Sequence, residues 1–295
     1  MSFFQKSFIA ITLGLSTFGA LPILSTSTAR AQSTDPICPS SPAADGLLNK
    51  EAFGSSSTYN GFCRGTPSVY GITVYKMGFC TANPLAGGAG VEADFTTCTI
   101  TFSNTTGEPA SFAAGSSLTL PASDTSFPSL GSYRYAIIEI APSFDIADSF
   151  GPFGDGSTYY STSGTTSTGS VASTTSGSAA TFTHNMNSFD DGTSCVASDT
   201  VSISGASLTG ALLNSSSELI ANNSAVTECS GVDKLLGVAF LDSAVTISSS
   251  TTGLTATFTV TDNGSSVFCD GSGPAGCDNI VFSSGPFNVS FTVTE

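Results

Sequence analysis

In Leu254-Thr255-Ala256-Thr257-Phe258-Thr259-Val260 every second side chain is apolar and every intervening one is threonine. Successive side chains of a β-strand point to opposite faces, so this spacing gives one face for a core and one for water. Phe287-Asn288-Val289-Ser290-Phe291-Thr292-Val293 repeats the pattern, and shorter versions stand at Tyr70-Gly71-Ile72-Thr73-Val74 and Cys98-Thr99-Ile100-Thr101-Phe102. Further strands are predicted at Ser117 to Leu120, Tyr133 to Ile140, Val201 to Ile203 and Val245 to Ile247. Sheets that leave one face wet are antiparallel, whereas parallel sheets lie buried under helices. Turn-forming clusters separate the strands at Asn83-Pro84, Asn104 to Pro109 and Asp262-Asn263-Gly264. Thr, Ser, Val, Phe and Gly are abundant and the straight-chain helix formers scarce. Only Ser217 to Ala221 and Val232 to Phe240 read as helix-like, and both are short. The expected fold is all-β: one or more antiparallel β-sandwiches with disulfide-stapled loops.

The stretch 157–181 is nearly all Ser, Thr, Gly and Ala, with Tyr159, Tyr160 and Val171 its only sizeable side chains. So little apolar surface holds no core of its own, which fits a linker between two β lobes; a polar hairpin wet on both faces fits equally. Either way the chain divides into an N-terminal β region, 32–156, and a C-terminal one, 182–295. The alternative is one large β-sandwich over 32–295.

Residues 1–31 have the order of a cleavable signal peptide. Lys6 charges the beginning, an apolar stretch follows from Phe8 to Leu24, and Ala29-Arg30-Ala31 offers small residues at alternate places, with the cut expected before Gln32. Thr12, Gly14, Ser16, Thr17 and Gly19 dilute the apolar stretch, whereas a spanning helix needs about 20 mostly apolar residues. The longest later apolar run, Leu235 to Leu241, is far shorter, so no integral membrane segment is expected after the cut.

All eight cysteines follow the cut, an even number in a chain bound for an oxidising compartment. A zinc site would show CxxC pairs or clustered histidine; the chain has neither and a single histidine. Eight cysteines allow about 105 connectivities. Cys269 with Cys277 is the best-supported pair, because the turn-rich loop between them brings its own ends together, with a stabilisation of about 2.5 kcal/mol. Nearest-neighbour order then suggests Cys80 with Cys98, Cys195 with Cys229, and Cys38 with Cys63.

Without Lys6 and Arg30 the remaining chain has five basic residues against 22 acidic ones. Such a surface repels phosphate and argues against nucleic acid and anionic lipid as partners. Divalent cations or other surface components are the better counterparts. The possible cofactor is calcium, a hard ion that takes several oxygens, and the candidate residues are Asp190, Asp191, Asp262, Asp270 and Asp278 in Gly- and Asn-rich turns. None of these loops has the EF-hand spacing.

No catalytic residue is assigned. A serine nucleophile needs a base, and His184, expected at the surface or in a turn, is the sole histidine; no Gly-x-Ser-x-Gly elbow occurs. Paired carboxylates would suit a glycosidase, but nothing singles out a pair. Sugar clefts stack rings on aromatic faces, and with no tryptophan that role would fall to Tyr59, Tyr70, Tyr75, Tyr133, Tyr135, Tyr159 or Tyr160. An outer-membrane barrel would need more and longer strands at even spacing. The expected function is that of an exported structural or adhesive protein of the cell surface, extracellular matrix or periplasm, self-associating or bound to other surface components. The alternatives are a secreted glycan- or calcium-binding module and, third, a carboxylate-based hydrolase.

Overall fold

The computed structural model describes residues 35–112, 125–167, 171–189, 194–203, 205–270 and 277–295. The signal peptide expected at 1–31, the strand expected at 117–120 and the calcium candidates Asp190 and Asp191 lie outside the described residues.

The protein is nearly all β, with 51% strand against 3% helix, so sheet pairing organises the chain. The helix, α1 (Lys50–Ser55), is followed by β1 (Phe62–Gly65), β2 (Val69–Cys80), β3 (Cys98–Phe112), β4 (Gly131–Ile140), β5 (Ser143–Ala147), β6 (Ser149–Phe150), β7 (Tyr159–Ser161), β8 (Gly164–Thr166) and β9 (Val171–Thr174). Then come β10 (Phe182–Asn185), β11 (Ser198–Ile203), β12 (Ala206–Leu213), β13 (Lys234–Ile247), β14 (Gly253–Thr259), β15 (Ser265–Asp270), β16 (Asn279–Ser284) and β17 (Asn288–Thr294). A nine-stranded sheet runs β11-β12-β13-β4-β2-β5-β10-β8, with β3 also on β2. A six-stranded sheet runs β1-β15-β16-β9-β7-β6, and β14 with β17 forms a separate ribbon. The strand pairs are antiparallel except β10 with β8, which run parallel.

Both large sheets mix strands from distant parts of the chain. β1 lies against β15, Cys63 opposite Val267, and β2 and β4 lie beside β13 and β12. The stretch 157–181 contributes β7 and β9 to the six-stranded sheet and β8 to the nine-stranded one. One core joins the sheets: Tyr70, Ile72, Ile140 and Ile146 from the larger meet Val267, Ile280 and Phe282 from the smaller. A second cluster, with Phe79, Ala136, Ala239, Leu241 and Leu254, lies under the ribbon. A third, with Ile137, Leu236, Val238 and Leu213, covers the opposite face of the nine-stranded sheet.

That third cluster explains why Val232 to Phe240, expected to be helix-like, is strand. Leu235 belongs to the first core, Ala239 to the second, and Leu236 and Val238 to the third, so β13 is apolar on both faces. A continuous apolar run loses the period-two signal, and sequence alone then does not separate strand from helix. The 217–221 segment is a turn followed by bridge pairing, with Ser217 at φ 61°. The helix forms instead at Lys50–Ser55, where the Asn49 side chain caps the first turn by accepting from Ala52 N at 2.9 Å and Phe53 is buried.

Asn104 to Pro109, expected to be a turn between strands, lies inside β3. Pairing with β2 passes from Lys76 opposite Ser103 to Val74 opposite Glu108, so Asn104 to Gly107 loop out across from Tyr75. The Asn104 side chain closes this bulge by accepting from Thr106 N at 3.0 Å and Thr106 Oγ1 at 2.9 Å.

Four disulfides staple the loops and edges. They join Cys38 to Cys63, Cys80 to Cys98, Cys195 to Cys229 and Cys269 to Cys277, with Cα separations of 4.9, 3.9, 4.7 and 4.7 Å. Each cysteine bonds its neighbour in sequence. Disulfides persist in oxidising compartments. Among the described residues, no helix is long and apolar enough to cross a membrane.

Candidate functional site

Among the described residues, two clusters of buried polar side chains interrupt the apolar packing. The first lies at one end of the face covered by the third cluster. Glu139 on β4 interrupts the apolar run Ala136 to Ile140, and its neighbours Lys76 on β2 and Lys234 on β13 come from the strands on either side. The Lys76 ammonium is 3.3 Å from Glu139 Oε2 and the Lys234 ammonium 3.2 Å from Oε1. Only 2% of the carboxylate-bearing side chain is exposed, against about a quarter of each lysine. Phe95 packs its ring 4.1 Å from the Lys76 nitrogen, and the Tyr75 ring is 5.7 Å from that of Lys234. Two cations around one anion leave one net positive charge on an otherwise acidic chain.

The second cluster lies between the two large sheets. Asp148 is the one residue between β5 and β6, where the chain passes from the nine-stranded sheet to the six-stranded one. Its Oδ2 accepts from Ser265 Oγ, its Oδ1 from Ser149 N at 2.7 Å, and its own N–H donates to Ser161 Oγ at 3.0 Å. Burial pushes the Asp148 carboxyl up to about 7, against the opposing pull of the bonds from Ser265 and Ser149. On β10, His184 is buried; its Nδ1 lies 2.6 Å from Ser284 Oγ and accepts from Ser284 N at 3.3 Å. An Nδ1 that receives a backbone N–H bears no proton, so the ring is neutral with its hydrogen on Nε2. Burial accordingly holds His184 down to about 4. Ser265 and Ser284 are directly opposite partners in the β15–β16 pair, so the two contacts stand side by side across the junction.

His184 is therefore neither a surface nor a turn residue. Phe182, two positions earlier and fully buried, was the available signal, because residues i and i+2 of a strand share a face. A charge inside an apolar run was the corresponding signal for Glu139. Nothing local marks Asp148, whose burial comes from the crossing between sheets.

The calcium candidates are scattered. Asp262 occupies an exposed turn at φ 58°, its N–H donating to Thr66 Oγ1 at 2.7 Å. Asp270 and Asp278 come together at the mouth of the Cys269–Cys277 loop, where Asp278 N donates to the Asp270 carbonyl at 2.9 Å. A cation already serves that place: the Lys50 ammonium donates to the Cys277 and Asp278 carbonyls at 2.9 and 2.7 Å and pairs with Glu51 at 3.0 Å. Among the described residues, no three His, Cys, Asp or Glu side chains are grouped as a metal-ligand set.

Of the tyrosines, Tyr70, Tyr133 and Tyr159 are buried packing residues. Tyr59 donates to Asp45 Oδ2 at 2.6 Å, and partial burial together with that bond pushes its hydroxyl up to about 12. Tyr75, Tyr135 and Tyr160 keep part of their surface in solvent. The other basic groups also have internal partners: Arg64 pairs with Asp35 at 3.0 Å, and Arg134 stacks 4.7 Å from the Phe240 ring centroid. Comparison with protein-family models, with curated proteins and with solved structures gave no match.

Proposed function

We propose that the chain is an exported structural or adhesive component of a cell surface or extracellular layer, released by cleavage before Gln32. In this reading residues 32–295 form one large β-sandwich. Support for a single body comes from β1 pairing with β15, and from strands on both sides of 157–181 sharing both large sheets.

The observation that carries the proposal is internal cross-linking. Four disulfides staple loops locally, and the Lys50 clamp on the Cys269–Cys277 loop, the Lys76–Glu139–Lys234 cluster and the serine contacts of Asp148 and His184 tie distant segments together. Ties of this kind suit a chain selected to persist outside the cell. Host-cell fractionation combined with electron microscopy of the purified protein tests the proposal, with recovery in a surface fraction and filaments or a lattice expected. A monomer at every protein and calcium concentration, recovered only from the soluble fraction, overturns it.

The alternative is a calcium-binding module, whose candidate residues Asp270 and Asp278 are joined by a backbone hydrogen bond at the loop mouth that the Lys50 ammonium also occupies. Calorimetric titration with calcium separates the two readings: heat that disappears in an Asp270→Asn, Asp278→Asn variant supports the binding module.

A further inference from the structure

Asp148 and His184 are buried ionisable groups at the sheet junction, and the proposed function uses neither. Each reaches from the segments β5 to β6 and β10 to a serine of the β15–β16 hairpin, and those serines are register partners. The other groups around them are uncharged: Ser161 on β7, Ser149 on β6, and the Phe144 ring, 6.4 Å from that of His184. The charged groups on the packed elements are directed elsewhere. Arg64 on β1 bonds Ser266 and pairs with Asp35, Asp145 on β5 accepts from Thr183 Oγ1 at 2.7 Å, and Asp270 lies at the exposed end of β15.

We infer that Asp148 and His184 are a compensating pair, each making the sheet junction respond to pH in the opposite sense, so that together they hold its stability level through the mildly acidic range. Without a countercharge, burial favours the neutral form of each. In the ionised carboxyl Oδ2 accepts from Ser265 Oγ; in the neutral form a proton on Oδ2 would be donated to that oxygen instead, while Oδ1 keeps the Ser149 N–H. For the imidazole, the Ser284 N–H requires an unprotonated Nδ1.

The signs follow from proton linkage. Asp148 keeps its proton in the folded chain up to about 7, whereas an unfolded aspartate loses it near 3.8, so its contribution falls as pH rises across that interval. His184 stays neutral in the folded chain down to about 4, whereas an unfolded histidine takes a proton near 6.5, so its contribution grows as pH rises between those values. The intervals overlap almost completely, and there the two slopes cancel.

Denaturant unfolding of the disulfide-intact protein at a series of pH values, for the parent, Asp148→Asn, His184→Gln and the double variant, tests this. Dividing each variant's folded-to-unfolded ratio by the parent's removes the common background of surface carboxylates. From about pH 4 to about pH 6.5, that quotient is expected to rise by up to about tenfold per pH unit for Asp148→Asn, fall comparably for His184→Gln, and stay level for the double variant. Single variants that run parallel to the parent, or a double variant with a slope of its own, overturn the inference. If a variant does not fold, the parent decides, because His184 is its only histidine and gives one imidazole signal. That signal is expected to stay constant from about pH 8 to about pH 5; a midpoint near 6.5 overturns the inference.

Discussion

The Tyr70 hydroxyl, on a ring with no exposed surface, donates to the Gly285 carbonyl at 3.0 Å, joining positions 215 residues apart. It fastens the beginning of β2 to the connection between β16 and β17, and burial pushes its own ionisation far above the ordinary tyrosine value. Tyr70→Phe keeps the packing and leaves that carbonyl unpaired. A loss of about 1–3 kcal/mol is expected, read as a lower urea midpoint at unchanged slope.

Gly285 itself tolerates no side chain. A Cβ there would overlap the Asn263 carbonyl oxygen, and the neighbouring Gly264 is crowded in the same way by Val260 and Pro67. Gly285→Ala therefore forces backbone to move, with an expected cost of about 3 kcal/mol, above what the same change costs at an open surface glycine. Parallel thermal melts of Gly285→Ala and Gly205→Ala provide the comparison. Gly205 has open space at its Cβ, and a side chain there is strained only by its φ of 78°.

The cluster on the outer face predicts an asymmetry. Glu139→Gln removes the charge common to Lys76 and Lys234 and leaves two ammonium groups facing each other. Because the lysines are partly exposed, a loss of about 1–3 kcal/mol is expected, below the value for a fully buried pair, and largest at low salt. Removing all three charges together, in the triple variant Glu139→Leu, Lys76→Met, Lys234→Met, is expected to recover most of that loss. Urea midpoints at low and high salt check both expectations.

Disulfide removal should scale with the loop each bridge closes. Cys195–Cys229 spans a sequence separation of 34 and Cys269–Cys277 one of 8. Paired Cys→Ala substitutions should cost about 4 kcal/mol at the first and about 2.5 kcal/mol at the second in the chain-entropy model. The Lys50 clamp partly holds the shorter loop without its sulfurs, which widens the difference. Calorimetric melts of the two variants measure it.

Legibility in the sequence followed how local each cause is. The strand at 254–260 was visible because one face turned to the core and one away from it imprint a period of two on the chain, and those at 70–74, 98–102 and 133–140 were visible from their β-branched and aromatic residues. The first half of β13, to Phe240, was not, because a third apolar cluster covers its other face and erases the period, whereas its end at Val245 to Ile247 was. Charge and cysteine number stand in the residues themselves, as did the scarcity of helix formers.

The partners of each strand, and the polar groups closed off between them, were decided by tertiary structure. His184 shares the face of Phe182 by strand geometry, but its burial depends on Ser284, 100 residues away, and that of Asp148 on Ser265, 117 residues away. Alternation is a property of a few adjacent residues and can be read from them. Desolvation is imposed by whichever segments come to lie opposite, and register between distant strands exists only once the chain has folded.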